Sequence, residues 1–114
     1  MVFDKGLAQL LRDALEGQHV VEKNMMGGLC FMVEGHMLCG VHKGGAMIRV
    51  GKPNQATALT VDGVTPMAFT GRRMAGLVDI TDAVCADDAR RGLLLGLVFD
   101  FIRSLPAKGS HHGD

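Results

Sequence analysis

The sequence predicts an α+β domain in which an antiparallel sheet is covered by helices mainly on one face, in the order α-β(3 or 4)-α-β(2)-α. Three observations predict this class. An amphipathic helix pattern opens the chain and a longer apolar one closes it. Short apolar runs separated by glycine turns lie between them. The connections between these runs are too short for the crossover helices of a doubly wound parallel sheet.

Length, composition and charge limit the class of protein. The 114 residues are enough for one domain, and 47% hydrophobic with 21% charged residues exclude a disordered chain. Twelve basic and twelve acidic side chains leave no net charge, and the chain has no Trp or Tyr to stack on bases. We therefore expect direct nucleic-acid binding to be weak and nonspecific.

Three sequence features indicate the expected cellular location, namely the first residues, the longest apolar run and the cysteines. The start shows neither the basic nor the apolar region of a signal peptide, and residues 92–99 reach only about half of the roughly 20 residues that a membrane span needs. The three cysteines form no paired framework. We expect a cytoplasmic protein with free thiols, no membrane contact and no cofactor.

The first helix is predicted over residues 4–16. Its apolar positions have the spacing of one helix face: Leu7, Leu10, Leu11, Ala14 and Leu15. Asp4 is the expected N-cap and Gly17 the expected stop.

Short strands follow. Residues 29–33 and 37–41 are predicted to form a hairpin around Glu34-Gly35-His36, and residues 46–50 the next strand, with Ala, Ile and Val on one face. A strand over residues 19–25 is the optional fourth.

The second half is predicted as helix, hairpin and helix. Residues 52–61 form the short helix, with Pro53 in its first turn. Residues 64–69 and 74–80 form the hairpin, and Pro66 favours an edge strand. The final helix is expected over residues 83–105, at least from Asp87 onward, so that the domain spans residues 1–107 and residues 108–114 form a flexible tail.

Four residues of metal-ligating types occur close together, namely Cys30, His36, Cys39 and His42. Side chains alternate between the faces of a strand, and no C-x-x-C pair is present. We expect two core thiols and two strand-end histidines, and no structural metal. Cys85, near the start of the last helix, is the better reactive thiol by the helix-dipole argument, although no orienting partner is visible.

Surface contacts have several candidates. Arg72-Arg73 at a hairpin tip, with Arg49 nearby, could contact an anion, although a solvated turn is the simpler interpretation. Gly92 and Gly96 have small-xxx-small spacing, which indicates either packing against the sheet or a helix interface between chains. The Gly27-Gly28 and Gly44-Gly45 pairs are interpreted as turns, because neither matches a phosphate-binding motif.

A homodimer is predicted because the two central strands are apolar at successive positions. One face of the first holds Leu29, Phe31 and Val33, and the other Cys30 and Met32; on the second strand Met37, Cys39 and Val41 oppose Leu38 and Gly40. The helices are expected to cover only one face of the sheet. The other face is then expected to expose an apolar patch that includes Met32, and a second copy of the chain would bury it. The edge strand and the Gly92/Gly96 helix are alternative surfaces.

Two gapped motifs then point to a family. Met25-Met-Gly-Gly-Leu-Cys-Phe-Met32 with Gly35-x-Met37-x-x-Gly40-Val41 and Arg49-Val50-Gly51 is the first, and Pro66-Met67-x-Phe69-Thr70-Gly71-Arg72-x-Met74-x-Gly76 the second. Together with Ser104-Leu105-Pro106 they resemble the N-terminal domain of the TfoX/Sxy competence-regulator family. The chain departs from the family where Asn24 replaces a usual lysine and Arg73 a usual proline.

The resemblance implies a secretion-chaperone-like α+β fold and a role in competence and transcription regulation, with no catalytic residues to carry over. The motif residues expected to be structural are Gly27, Gly28, Cys30, Gly35, Gly40, Gly51, Pro66, Phe69, Gly71 and Gly76. The leading hypothesis is a non-enzymatic, cytosolic regulatory or protein-interaction module with an unknown protein partner. A small-ligand or anion binder that uses Arg72-Arg73 is the alternative, and an enzyme the third.

Overall fold

The computed structural model describes residues 3–25, 27–69 and 72–105, and the side chains of residues 68, 69, 72 and 73 lie outside that description. The elements are α1 (Lys5–Ala14), β1 (Val21–Met25), β2 (Gly28–Val33), β3 (His36–His42), β4 (Gly45–Arg49), α2 (Lys52–Leu59), β5 (Val64–Phe69), β6 (Arg72–Ile80), α3 (Asp82–Ala86) and α4 (Asp88–Arg103). One six-stranded antiparallel sheet has the order β1-β2-β3-β4-β6-β5. The predicted fold class is confirmed, with the fourth front strand present and Pro66 on an edge strand.

The final helix is two helices, not the single one expected from residue 83. Asp87 has an extended backbone (φ −91°, ψ 110°), and its carboxylate accepts hydrogen bonds from the amides of Ala89 and Arg90. An aspartate that caps a following helix cannot also continue the preceding one. Asp4 caps α1 in the same way, accepting from the amides of Gly6 and Leu7, as predicted.

The main core lies between the helices and one face of the sheet. From β4 it takes Ala46 and Ile48, and Val50 follows directly, as the alternation of that strand predicts. Leu11 of α1, Ala58 of α2 and the buried residues of α3 and α4 pack into the same core; the last group is Val84, Cys85, Leu94, Leu95 and Val98. All four helices therefore contribute to one face, because the sheet offers a continuous apolar surface there.

A bulge changes the predicted faces of the second central strand. Phe31 pairs with Cys39 and Met32 pairs with Met37, so Leu38 is the extra residue of β3. Leu38, Cys39 and Val41 all belong to the main core, whereas Met37 packs with the residues of the opposite face. The expectation that Met37 shares a face with Cys39 and Val41 is therefore wrong, since an inserted residue reverses the alternation.

The opposite face carries a second, smaller core, which we call the sulfur cluster. Its members are the buried Cys30, Met47, Met67 and Leu77 and the half-buried Met32, Met37 and Met74. Cys30 and Met47 are fully buried, although the helices lie on the other face. This face is thus only partly the open apolar patch that the strand pattern predicts.

Two glycines join α2 to the sheet by a close backbone approach. Gly51, before α2, and Gly76, in β6, both have positive φ angles, 87° and 85°. The carbonyl of Gly76 accepts from the amides of Val50 and Gly51, and its amide donates to Oε1 of Gln55. A Cβ on Gly76 would lie 3.1 Å from the amide nitrogen of Lys52, so only glycine allows this junction.

Candidate functional site

The outer face of α4 is exposed and carries the glycine pair. Apart from the chain neighbours and backbone of α4 itself, no described atom lies within 4 Å of a Cβ added at Gly92 or Gly96, and the Leu93 side chain between them is 52% exposed. The interpretation that these glycines pack against the sheet is therefore wrong. A helical position and its neighbours at i+4 share one face, so Gly92 and Gly96 leave a flat strip beside Leu93.

The two ends of this strip carry opposite charges. Asp88 lies four residues before Gly92, and Arg103 lies seven after Gly96, both on the exposed face. The Asp88 side chain is 92% exposed and pairs within its helix with Arg91; the Arg103 side chain is 70% exposed and pairs with Asp100. Such exposed pairs are weak, so both ends can form other ion pairs.

The edge strand β1 is the other exposed apolar surface among the described residues. Its five residues are all exposed, with Val21 at 63% and Met25 at 37%. Charged Glu22 and Lys23 lie between them, and Glu22 is held by a two-bond ion pair with Arg12 of α1. Charges along an edge discourage pairing with another strand, so β1 is poorly suited to extend the sheet.

The sulfur cluster surrounds a gap in the sheet surface. Gly40 lies between Cys30 on β2 and Met47 on β4, and the Cε atom of Met47 lies 3.0 Å from the position a Gly40 Cβ would take. Met47 therefore fills the space that the glycine leaves. Met32 and Met37 are direct cross-strand partners beside it and are half-buried.

The three cysteines are free and buried, and they do not meet in a metal site. Cys30 lies in the sulfur cluster and Cys39 in the main core, on opposite faces of the sheet. Within the described ranges, no three His, Cys, Asp or Glu side chains gather as metal ligands. Burial, with a further contribution from Asp82, raises the pKa of Cys85 to about 11, so the helix position does not activate this thiol near neutral pH.

His42 and Asp79 form a side-chain pair that the sequence did not indicate. His42 Nε2 lies 2.9 Å from Asp79 Oδ1; on β4, the strand between them, His42 pairs with Gly45 and Asp79 with Met47. The Gly44 amide donates to Nδ1 at 3.0 Å, so Nδ1 is an acceptor and Nε2 carries the proton donated to Asp79. Both ring nitrogens are engaged, which leaves neither to act as a general base. The two residues are 37 positions apart, and only strand pairing brings them together.

The structure describes the side chains of only some of the arginines that are candidates for an anion contact. The guanidinium of Arg49 lies 5.2 Å from the centre of the Phe101 ring of α4, where a cation–π contact holds it. The side chains of Arg72 and Arg73 lie outside the described part of the chain, as does Gly71. The proposed cluster of Arg49 with the hairpin arginines is therefore untested, and Phe101 is a partner that no sequence signal indicated.

Two depressions lie in the surface of the described residues. One of about 390 Å³ lies between the β2–β3 hairpin and the end of α4, with Val33, Phe99 and Ile102 among its lining. Another, of about 370 Å³, contains Arg12 and Glu22. Their hydrogen bond raises the pKa of Arg12 and lowers that of Glu22, which keeps both charged near neutral pH. Neither can exchange a proton there, so the pair is structural.

Most of the motif glycines have a structural role. A Cβ on Gly28 would lie 1.9 Å from the carbonyl oxygen of Val41, so β2 and β3 need a glycine there. Gly27 and Gly35 have positive φ angles in turns, of 76° and 83°. Pro66 is exposed on the edge strand, and Phe69 ends that strand.

Fold and site together define a small α+β domain with one helix-covered face, a sulfur-lined second face and an exposed glycine strip. The family model of the TfoX N-terminal domain matches residues 9–93. The chain therefore belongs to the TfoX N-terminal domain family, as its motifs indicate. Neither the curated proteins nor the solved structures include a significant match. Among the described helices, none is long and apolar enough to cross a membrane.

Proposed function

We propose that this domain is a non-enzymatic regulatory module that acts through protein contacts, and that the outer face of α4 binds a second copy of the chain. The observation that carries the proposal is the exposed strip formed by Gly92 and Gly96. This surface corresponds to the second interpretation that the sequence left open, in which the two glycines form a helix interface between chains.

The two glycines destabilise the α4 helix, and this loss of stability supports the surface as an interface. A glycine in a helix interior destabilises it by about 1 kcal/mol relative to alanine. No described residue outside the backbone of α4 approaches either position, so none of the described contacts of the monomer requires a glycine there. A second helix that approaches closely would require it, because a Cβ would hold the two backbones apart.

Charge complementarity supports a second copy as the occupant. In an antiparallel pair of α4 helices, Asp88 of each copy faces Arg103 of the other, since these charges lie at opposite ends of the same face. The same arrangement buries the exposed Leu93 twice. A two-fold axis makes both contacts identical, as in most homodimers.

The other candidate surfaces have less support. The edge strand β1 carries Glu22 and Lys23, and the sulfur face is half-buried by its own side chains. Catalysis has no support from the described residues, because His42 has no free ring nitrogen and the thiols are buried. The neutral charge and the lack of Trp and Tyr argue against direct reading of DNA, so we propose regulation through a protein partner.

Light scattering behind a sizing column tests the dimer. We expect a mass near twice the 12.1 kDa of the chain, and a shift to the monomer in Gly92→Leu. The monomer accommodates this leucine because no described side chain lies within 4 Å of a Cβ at the position. Ala56→Leu is the matched control, since it places the same leucine side chain at an exposed position of α2, and should remain dimeric.

Met32→Lys separates the helix interface from the sheet face. Dissociation by Met32→Lys but not by Gly92→Leu would place the interface on the sulfur face and overturn the helix assignment. A wild-type monomer at every concentration would contradict the homodimer itself.

A separate experiment tests the regulatory role: deletion of the gene should alter transcript levels in the source cell. Wild type and Ala56→Leu should restore those levels and Gly92→Leu should not; unchanged transcripts would contradict the role.

A further inference from the structure

The sulfur cluster is unusual in its chemistry. Among the described residues that form it, only Leu77 lacks sulfur. Five of the eight methionines of the chain are in it, contributed by β2, β3, β4, β5 and β6; they are Met32, Met37, Met47, Met67 and Met74. Methionine fills irregular cores well, and here it is concentrated on one face, because the main core of the described residues consists of aliphatic, aromatic and small side chains and two cysteines.

Three of these methionines lie next to one another. Met32 and Met37 are paired across β2 and β3, and their Cβ atoms are therefore about 5 Å apart. Met47 on β4 is the direct cross-strand partner of Gly40 on β3. Its side chain extends over that glycine, towards Cys30. Because Gly40 has no side chain, Met47 occupies the space above it, and Met32 and Met37 pack against the same cluster.

The exposure of the three methionine side chains suits a bound ion that exchanges with solvent. Met32 and Met37 are half-buried at the surface, whereas Met47 is fully buried beneath them. Thioether sulfur is a soft, uncharged ligand that selects Cu(I) and related ions over hard cations. Among the described residues, no three His, Cys, Asp or Glu side chains gather at this face; Cys30 lies within the cluster, and Asp79, the strand partner of Met47, is hydrogen-bonded to His42.

We propose that Met32, Met37 and Met47 bind one soft monovalent metal ion, Cu(I) or Ag(I), through their thioether sulfurs. This inference is independent of the α4 interface. The ligands need no deprotonation, so binding does not depend on a thiolate.

The test titrates reduced protein with Ag(I), and with Cu(I) in competition with bicinchoninate. We expect one ion per chain and shifts of the Met32, Met37 and Met47 methyl signals in NMR spectra. Met32→Leu and Met37→Leu should each weaken binding at least about tenfold, because losing a ligand costs no less than losing a supporting residue. Leucine preserves volume, so circular dichroism should show an unchanged fold.

Met25→Leu is the matched control, because Met25 lies on the exposed edge strand outside the cluster. Its affinity should equal that of the wild type. Equal affinities for Met25→Leu and Met32→Leu, or the lack of saturable binding, would overturn the proposal. An affinity that rises about tenfold per pH unit and disappears in Cys30→Ala would show a thiolate site and would also overturn it.

Discussion

At the scale of single residues, glycine has two opposite roles in this domain. Gly51 and Gly76 allow a backbone contact that no other residue permits, since both have positive φ angles and crowded surroundings. Gly92 and Gly96 lie in a regular helix with open space beside them. The first pair is required by the fold of one chain, whereas the second is explained by contact with another molecule.

The two roles predict opposite effects of alanine. We expect Gly51→Ala to lower the free energy of unfolding by at least about 2 kcal/mol, because the new Cβ strains the backbone and overlaps the Phe101 ring, 2.3 Å from Cδ1. Gly96→Ala should raise it by up to about 1 kcal/mol. Urea unfolding of both, in the monomeric Gly92→Leu background, measures the difference. Similar effects of the two substitutions would refute this distinction.

At the scale of elements, side chains decide where helices and strands join. Asp87 divides the last helical segment because its carboxylate caps α4. Arg12 fastens α1 to the edge strand β1, with two hydrogen bonds to Glu22 and its guanidinium 5.9 Å from the centre of the Phe31 ring. These polar contacts add to the apolar packing of α1 and α4 in the main core.

The pair of Arg12 and Glu22 predicts a pH dependence of stability. The hydrogen bond from Arg12 lowers the pKa of Glu22 in the folded state. Its stabilising contribution is therefore complete above the unfolded value of about 4.3 and is lost as the pH falls through the lower folded value. Both side chains are more than a third exposed, so solvent limits the contribution to roughly 0.5–1 kcal/mol.

Glu22→Gln tests that dependence. At pH 7 the variant should be less stable than the wild type by roughly 0.5–1 kcal/mol. The difference should vanish below the lowered pKa, where the wild type is also neutral. Glu16→Gln removes a charge from an exposed position and is the control. A constant difference from pH 7 to pH 2 would show that the ion pair is not its cause.

At the scale of the whole molecule, the sheet separates two cores of different composition. The helix-facing core contains branched aliphatic, aromatic and small residues, and the opposite core contains sulfur side chains. The bulge at Leu38 sends Met37 to the second core, and Gly40 makes room there for Met47. Neither core depends on a disulfide or, in the described residues, on a cluster of ordinary metal ligands.

The two cores together predict that the fold is independent of zinc. Purified protein should keep its melting temperature in excess EDTA, because a structural metal would couple binding to folding. Thermal unfolding followed by circular dichroism, with and without the chelator, provides the measurement. Stoichiometric zinc in the purified protein together with unfolding in EDTA would contradict this expectation.

Much of the fold could be predicted because its signals are local. The stripe from Leu7 to Leu15, the cap at Asp4 and the alternation of Ala46, Met47 and Ile48 each depend on neighbouring residues. The site was harder to predict. The role of Gly92 and Gly96 depends on what surrounds α4, and the pairing of His42 with Asp79 depends on strand order, neither of which a local pattern contains.

The sequence by itself determined the α+β class, the order of the elements, the turns at glycines and the family, because periodicity and motif spacing are properties of the chain. Only the tertiary structure decided which face each residue of β3 occupies, since a single inserted residue reverses the alternation. It also decided that Cys85 is buried and that the glycines of α4 face solvent. Burial and contact depend on residues distant in sequence, and these meet only when the sheet and helices pack.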